Sequence, residues 1–120
     1  GGLEGDDLPF VAKTTGLSER EVIALHTGTS YRVAMIGFSP GFGYLTGVPH
    51  PLAIPRRNTP RVHVEQKSVC LGGGFTAVTP SPGPSGWHVL GKAHCPDLFD
   101  AGANTPCLLK AGDIVRFVSA

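Results

Sequence analysis

From Ser30 onward the chain sets short apolar runs of period two between glycines and prolines, and the spacing leaves no room for crossover helices. Seventeen Gly and eleven Pro among 120 residues, without the period of collagen, predict a many-turned β barrel or sandwich. Tyr31–Phe38 reads as a strand buried on both faces for part of its length. Further strands are expected over Arg61–Val64, Ser68–Leu71, Phe75–Val78, Trp87–Leu90 and Ile114–Val118, with Ala111-Gly112-Asp113 turning into the last. Close spacing makes the sheet largely antiparallel.

The helical pattern is confined to the region before Ser30. Asp6 or Asp7 can cap a first helix running through Thr14, with Pro9 in its first turn and Gly16 closing it. Ser18-Glu19-Arg20-Glu21 reads as a capping box for a second helix that Gly28 ends. Two short helices in tandem suggest a DNA-binding pair, but Glu4, Asp6, Asp7, Glu19 and Glu21 outnumber Lys13 and Arg20, the wrong balance beside phosphates. A helical lead-in over residues 1–29, packed on a β domain over 30–120, is the reading kept. The 41% hydrophobic content suffices for one core.

Net charge is +1 with 16% charged residues, so neither nucleic acid nor an acidic membrane surface is an expected partner. No apolar run approaches the roughly 18 residues of a spanning helix, and the first residues lack the blocks of a signal peptide. Cys70, Cys95 and Cys107 are an odd set without CxxC, a poor disulfide framework, and the expected location is the cytoplasm.

Several motifs fail on chemistry. Gly86-Trp87-His88-Val89-Leu90-Gly91-Lys92-Ala93 almost spells a phosphate loop, yet Ala93 stands where a hydroxyl should meet magnesium, and its interior is strand-like. Gly83-Pro84-Ser85-Gly86 lacks the second glycine of a nucleophile elbow, since Trp87 follows. His50, His63, His88, His94, Cys95 and Cys107 show neither HxxxH nor CxxC spacing, so no metal site is expected.

What remains is a recognition surface. In Met35–Leu45 and Pro55–Arg61 glycine removes bulk, proline fixes the loops, and rings and guanidinium groups supply contact. Arg56, Arg57 and Arg61 suit a fork gripping carboxylate or phosphate, with Lys92 a fourth candidate; solvated loop arginines are the competing account, and at least one should be an ion-pair strut. Phe38, Pro40, Gly41, Phe42, Tyr44 and Trp87 form either a cleft or partner surface or an interior aromatic cluster.

Taken in order, Tyr31-Arg32-Val33, Gly37–Leu45, Pro55–Arg61, Ser68-Val69, Gly86–Gly91, Leu98-Phe99-Asp100 and Ala111–Phe117 resemble the C-terminal domain of the allophanate hydrolase subunit 1 family. That family includes the B subunit of bacterial 5-oxoprolinase and the kinase inhibitor KipI. The resemblance implies a cyclophilin-like closed antiparallel β barrel, mainly β, without the N-terminal domain of full-length relatives. It implies a subunit of an ATP-dependent amide or lactam hydrolase, of 5-oxoprolinase or allophanate hydrolase type, working with a homologous second subunit on a small carboxylate-bearing amide. No cofactor is expected on this domain alone, and ATP and magnesium belong to the assembled enzyme. The alternative is a KipI-like module whose face of Phe38, Pro40, Phe42 and Trp87 docks on a sensor histidine kinase.

Overall fold

The computed structural model describes residues 7–37, 42–94, 98 and 108–118. Helix α1, Leu8–Thr15, starts with Pro9 in its first turn and stops at Gly16, whose φ of 75° gives the left-handed conformation that favours glycine. Helix α2, Glu19–Thr27, begins with the expected capping box: Glu21 N–H donates to Ser18 Oγ (3.1 Å) and Ser18 N–H to Glu21 Oε1 (2.9 Å). These bonds favour the Glu21 carboxylate and hold its pKa below the usual range. The cap expected on α1 takes a different form. Asp7 occupies the N-cap position, but its carboxylate turns away to Val89 and Arg57.

Among the described residues eight strands follow: β1 Ser30–Ile36, β2 Gly43–Thr46, β3 Arg61–Val64, β4 Ser68–Gly72, β5 Phe75–Val78, β6 Gly83–Ser85, β7 His88–Lys92 and β8 Ile114–Arg116, with a 3₁₀ turn at His50–Leu52. Six form an antiparallel sheet in the order β7-β4-β5-β2-β1-β8, while β3 and β6 make a separate two-stranded ribbon. The sheets therefore do not close into the expected barrel. Instead, the end strands β7 and β8 face a shared cavity of about 560 Å³, lined by Leu90, Val115 and Phe117 and, from α2, by Val22, Ile23 and His26.

Strand β1 also departs from expectation. Tyr31 and Val33 are buried while Ser30, Arg32 and Ala34 are exposed, so one face only is covered. The pairing with β2 slips between Val33 and Met35, a bulge that turns Met35 outward as well. In contrast, β4 is buried throughout, because its faces serve two different layers. Leu71 joins Leu8, Val11, Val22 and Leu90 under the helices, and Cys70 joins Phe42, Val64, Trp87 and Val89 on the other side. The helical lead-in and the ribbon thus cover opposite faces of one sheet.

The polar atoms around His26 are matched to one another. Thr76 Oγ1 donates to Cys70 O (2.8 Å) and so accepts from His26 Nε2–H (2.8 Å), while Tyr31 Oη donates to His26 O (2.8 Å). Burial pushes the His26 imidazole down to about 4. A group that resists protonation when folded but accepts a proton near 6.5 when unfolded stabilises the fold above that pH. Its contribution is lost as pH falls from about 6.5 to about 4, a loss of about 3 kcal/mol. Denaturant unfolding at pH 7 and pH 4.5 should show that drop, and His26→Gln, whose amide still reaches Thr76, should remove about 2 kcal/mol of it. Equal pH slopes in both proteins would overturn the assignment.

Candidate functional site

The second cavity, about 460 Å³, opens between the ribbon and the sheet and is lined by Phe42, Tyr44, Arg56, Pro60, Trp87 and the Thr79–Gly86 segment. Its floor is aromatic. Ring centroids of Phe42 and Tyr44 lie 5.0 Å apart, Phe42 and Trp87 5.5 Å, and Tyr44 and Trp87 5.9 Å, all edge-on, with Phe75 adding a fourth ring 5.6 Å from Tyr44. Phe42 and Trp87 are each 8% exposed, so the cluster is interior packing whose upper edge forms the cleft. The described members of that group, Phe42, Tyr44 and Trp87, pack against one another and line the cleft.

Arg56 is the cation of this cleft. It is exposed and, among the described residues, forms no ion pair or hydrogen bond through its side chain. Its stem runs over Gly72, where a Cβ would lie 3.0 Å from Arg56 Cγ and 3.2 Å from Trp87 Cγ. The hairpin turn between β4 and β5 needs left-handed residues only at Gly73 (φ 58°) and Gly74 (φ 85°). Gly72 is a third glycine with a different purpose: it lets guanidinium stem and indole approach the same stretch of backbone.

The backbone around Arg56 is fixed from every side. Gly73 N–H donates to Ile54 O (2.9 Å), His88 Nε2 meets Pro55 O (3.0 Å) and Arg57 N–H donates to Gly86 O (2.6 Å). Arg57 itself is the ion-pair strut. Its guanidinium pairs with Asp7 and its Nε donates to Thr59 O (3.1 Å). Asp7, 3% exposed, also accepts from Val89 N–H (2.8 Å) through its other oxygen.

The remaining candidates are dispersed. Arg61 begins β3 opposite Ser85. Lys92 ends β7 opposite Ser68, whereas His88, next to Trp87, pairs with Leu71 at the other end, about 13 Å away along the strand. Lys92 borders a separate open depression with Lys67 and His94. Phe38, Pro40 and Gly41 lie outside the described residues, as do Cys95 and Cys107. Gly86–Lys92, the near match to a phosphate loop, runs into β7, whose amides serve the sheet. No group of three or more His, Cys, Asp or Glu among the described residues could hold a metal ion, and no described helix is long and apolar enough to cross a membrane.

Sequence reasoning missed Asp7 as a site-supporting group, Phe75 as a ring of the floor, and Gly72. The only local signal was the run Gly72-Gly73-Gly74, one glycine more than the turn requires. Chemically, the cleft offers a fixed positive charge beside flat apolar faces. The nearby Cys70 thiol is no nucleophile, since burial and then the Asp7 charge push its pKa up to about 12.

Residues 1–109 match the family described as carboxyltransferase domain, subdomain C and D. The chain is 46% identical over 118 residues to the B subunit of 5-oxoprolinase from Escherichia coli O157:H7, covering 98% of this chain and 54% of that protein. It is also 46% identical to the corresponding 5-oxoprolinase polypeptide of Bacillus subtilis, covering 98% and 49% respectively. A solved structure of a conserved uncharacterized protein from Pyrococcus horikoshii superposes with a TM-score of 0.93 at 38% identity, over 100% of this chain and 55% of that one. The chain spans about half the length of these relatives.

Gly72→Ala tests the shared approach of Arg56 and Trp87. The new methyl should cost about 1–3 kcal/mol and shift the emission of Trp87, the one tryptophan of the chain. Unchanged emission and stability would show that stem and ring do not depend on that space.

Proposed function

The chain belongs to the carboxyltransferase-domain family, subdomain C and D, and on that premise we propose that it forms the substrate-carboxylate site of a 5-oxoprolinase-type hydrolase. Acting with a homologous second subunit, the assembly opens 5-oxoproline to glutamate at the expense of ATP. The observation that carries this reading is Arg56: an exposed guanidinium whose stem and the Trp87 indole both crowd the Gly72 backbone in the lining of an aromatic cleft. Support from relatives comes from two proteins 46% identical to this chain, each named as the B subunit of 5-oxoprolinase.

A lactam amide is resonance-stabilised, so its opening is assisted when phosphorylation of the amide oxygen makes the carbonyl carbon a better electrophile: water adds there, the C–N bond breaks with a proton going to the ring nitrogen, and the acyl phosphate left behind is hydrolysed to glutamate and phosphate. The cleft's own contribution is to bind and orient. Arg56 takes the carboxylate in a charge-assisted fork, and the edges of Tyr44 and Trp87 cover one face of the small ring and exclude water. Arg57 holds the loop and makes no substrate contact. Lys92, at the far end of β7, cannot reach the same small molecule, and ATP handling is assigned to the assembled enzyme.

The kinase-docking alternative needs apolar rings presented to solvent. Phe42 and Trp87 are buried, which favours the small-molecule reading.

Reconstitution with the second subunit tests this. ATP-dependent loss of 5-oxoproline is expected, and Arg56→Ala should raise KM about ten- to hundred-fold, the value of one hydrogen bond to a charged group. Turnover of allophanate alone would change the substrate, and an unaltered KM in the variant would remove Arg56 from the site.

A further inference from the structure

We infer that Asp7 and Arg57 are positioning residues for Arg56, so that the helical lead-in sets the affinity of the carboxylate site from beneath it. The inference rests on the proposed role of Arg56 and adds to it what holds that residue in place.

Arg56 touches no group that could orient its backbone through its own side chain. Its placement is set by its neighbours. On one flank Pro55 O meets His88 Nε2, and on the other Arg57 is pinned twice, by its amide to Gly86 O and by its guanidinium to Asp7. Gly86 is joined to Trp87, so the Arg57 amide ties the cation's loop to the indole's strand at the point where both enter the cleft.

Asp7 is the anchor because its bonds leave it little freedom. One carboxylate oxygen accepts from Val89 N–H at 2.8 Å, and the Asp7 backbone N–H donates to Val89 O at 3.0 Å. The second oxygen, held by this pair of bonds to β7, is presented to Arg57. The carboxylate thus connects α1, β7 and the arginine loop, and losing the Arg57 pairing removes an opposite charge from a buried carboxylate.

Asp7→Asn separates charge from shape. The amide oxygen still accepts from Val89, but an NH₂ then faces the guanidinium, and the loop loses its hold. Arg57→Gln removes the same attraction from the other side, whereas Arg57→Lys keeps it.

The experiment measures KM and kcat for 5-oxoproline in the reconstituted complex, together with binding of 5-oxoproline followed by Trp87 fluorescence and the melting temperature of each variant. Asp7→Asn and Arg57→Gln should raise KM and the fluorescence Kd about ten-fold, with kcat much less affected, and Arg57→Lys should restore most of the affinity. A lowered melting temperature with KM and Kd unmoved would overturn the inference and leave Arg56 in its role. Should Asp7→Asn fail to fold, Arg57→Gln carries the same test. Arg56→Ala is measured alongside: if it leaves KM unmoved, the carboxylate site and this inference both fall, whereas a raised KM for Arg56→Ala alone removes only the inference.

Discussion

A carboxylate removed from water must be matched by donors and by opposite charge, and through its partners the Asp7 carboxylate ties together three separate parts of the chain. Val89 supplies a strand amide, Arg57 a guanidinium from the loop after the 3₁₀ turn, and Asp7 itself belongs to the start of α1. None of these elements can move independently without stranding a buried charge. Asp7 fixes how the helical lead-in sits on the sheet, and through Arg57 it fixes where the cleft's loop begins. The apolar contacts of Leu8 and Val11 with Leu71 and Leu90 then supply the bulk of the attraction, which is not directional. Orientation comes from the charge, and cohesion from the hydrocarbon.

One half of the sheet makes this arrangement workable. Strands β4, β5 and β7 are nearly all buried, which is unusual for antiparallel strands and follows from having helices on one face and the ribbon with its rings on the other. Successive residues of β4 feed opposite layers, so the packing of Cys70 against the aromatic side is coupled by one peptide unit to that of Leu71 against the helices. Gly72 ends the strand where both layers stop and the cleft begins. Its missing side chain is what allows Arg56 and Trp87 to share that ground.

Local chemistry was legible in the sequence. The Ser18–Glu21 capping box, the Gly16 stop, the strand at Phe75–Val78 and the antiparallel pairing all rest on interactions within a few residues or on period-two patterning. The elements that escaped depend on distant partners. Gly83–Ser85 reads as a loop because Pro and Gly dominate it, and it becomes β6 only by pairing with β3. Gly43–Thr46 is too short and glycine-led to stand out, yet it fills the space between β1 and β5. That β7 and β8 do not pair among the described residues could not be read from strand patterning, which says nothing of how the two ends of a sheet meet. At the site, the arginine cluster was visible, but its division into Arg56 in the cleft and Arg57 as strut depended on Asp7, fifty residues away. A single sequence offers no sign of that pairing.

Three titratable groups of the interior share one property that bears on function. His26 is held down to about 4, Tyr31 up to about 12 and Cys70 up to about 12, in each case chiefly by burial. All three are therefore neutral across the physiological range, and none is poised to exchange a proton near pH 7. The core carries polar atoms for hydrogen bonding and keeps them chemically silent. What this chain presents at its cleft is a permanent charge, which no change of pH in the working range can remove. Such a surface is suited to holding a carboxylate steady while another component moves protons. On the function proposed above, which needs both, binding and orientation fall to this cleft.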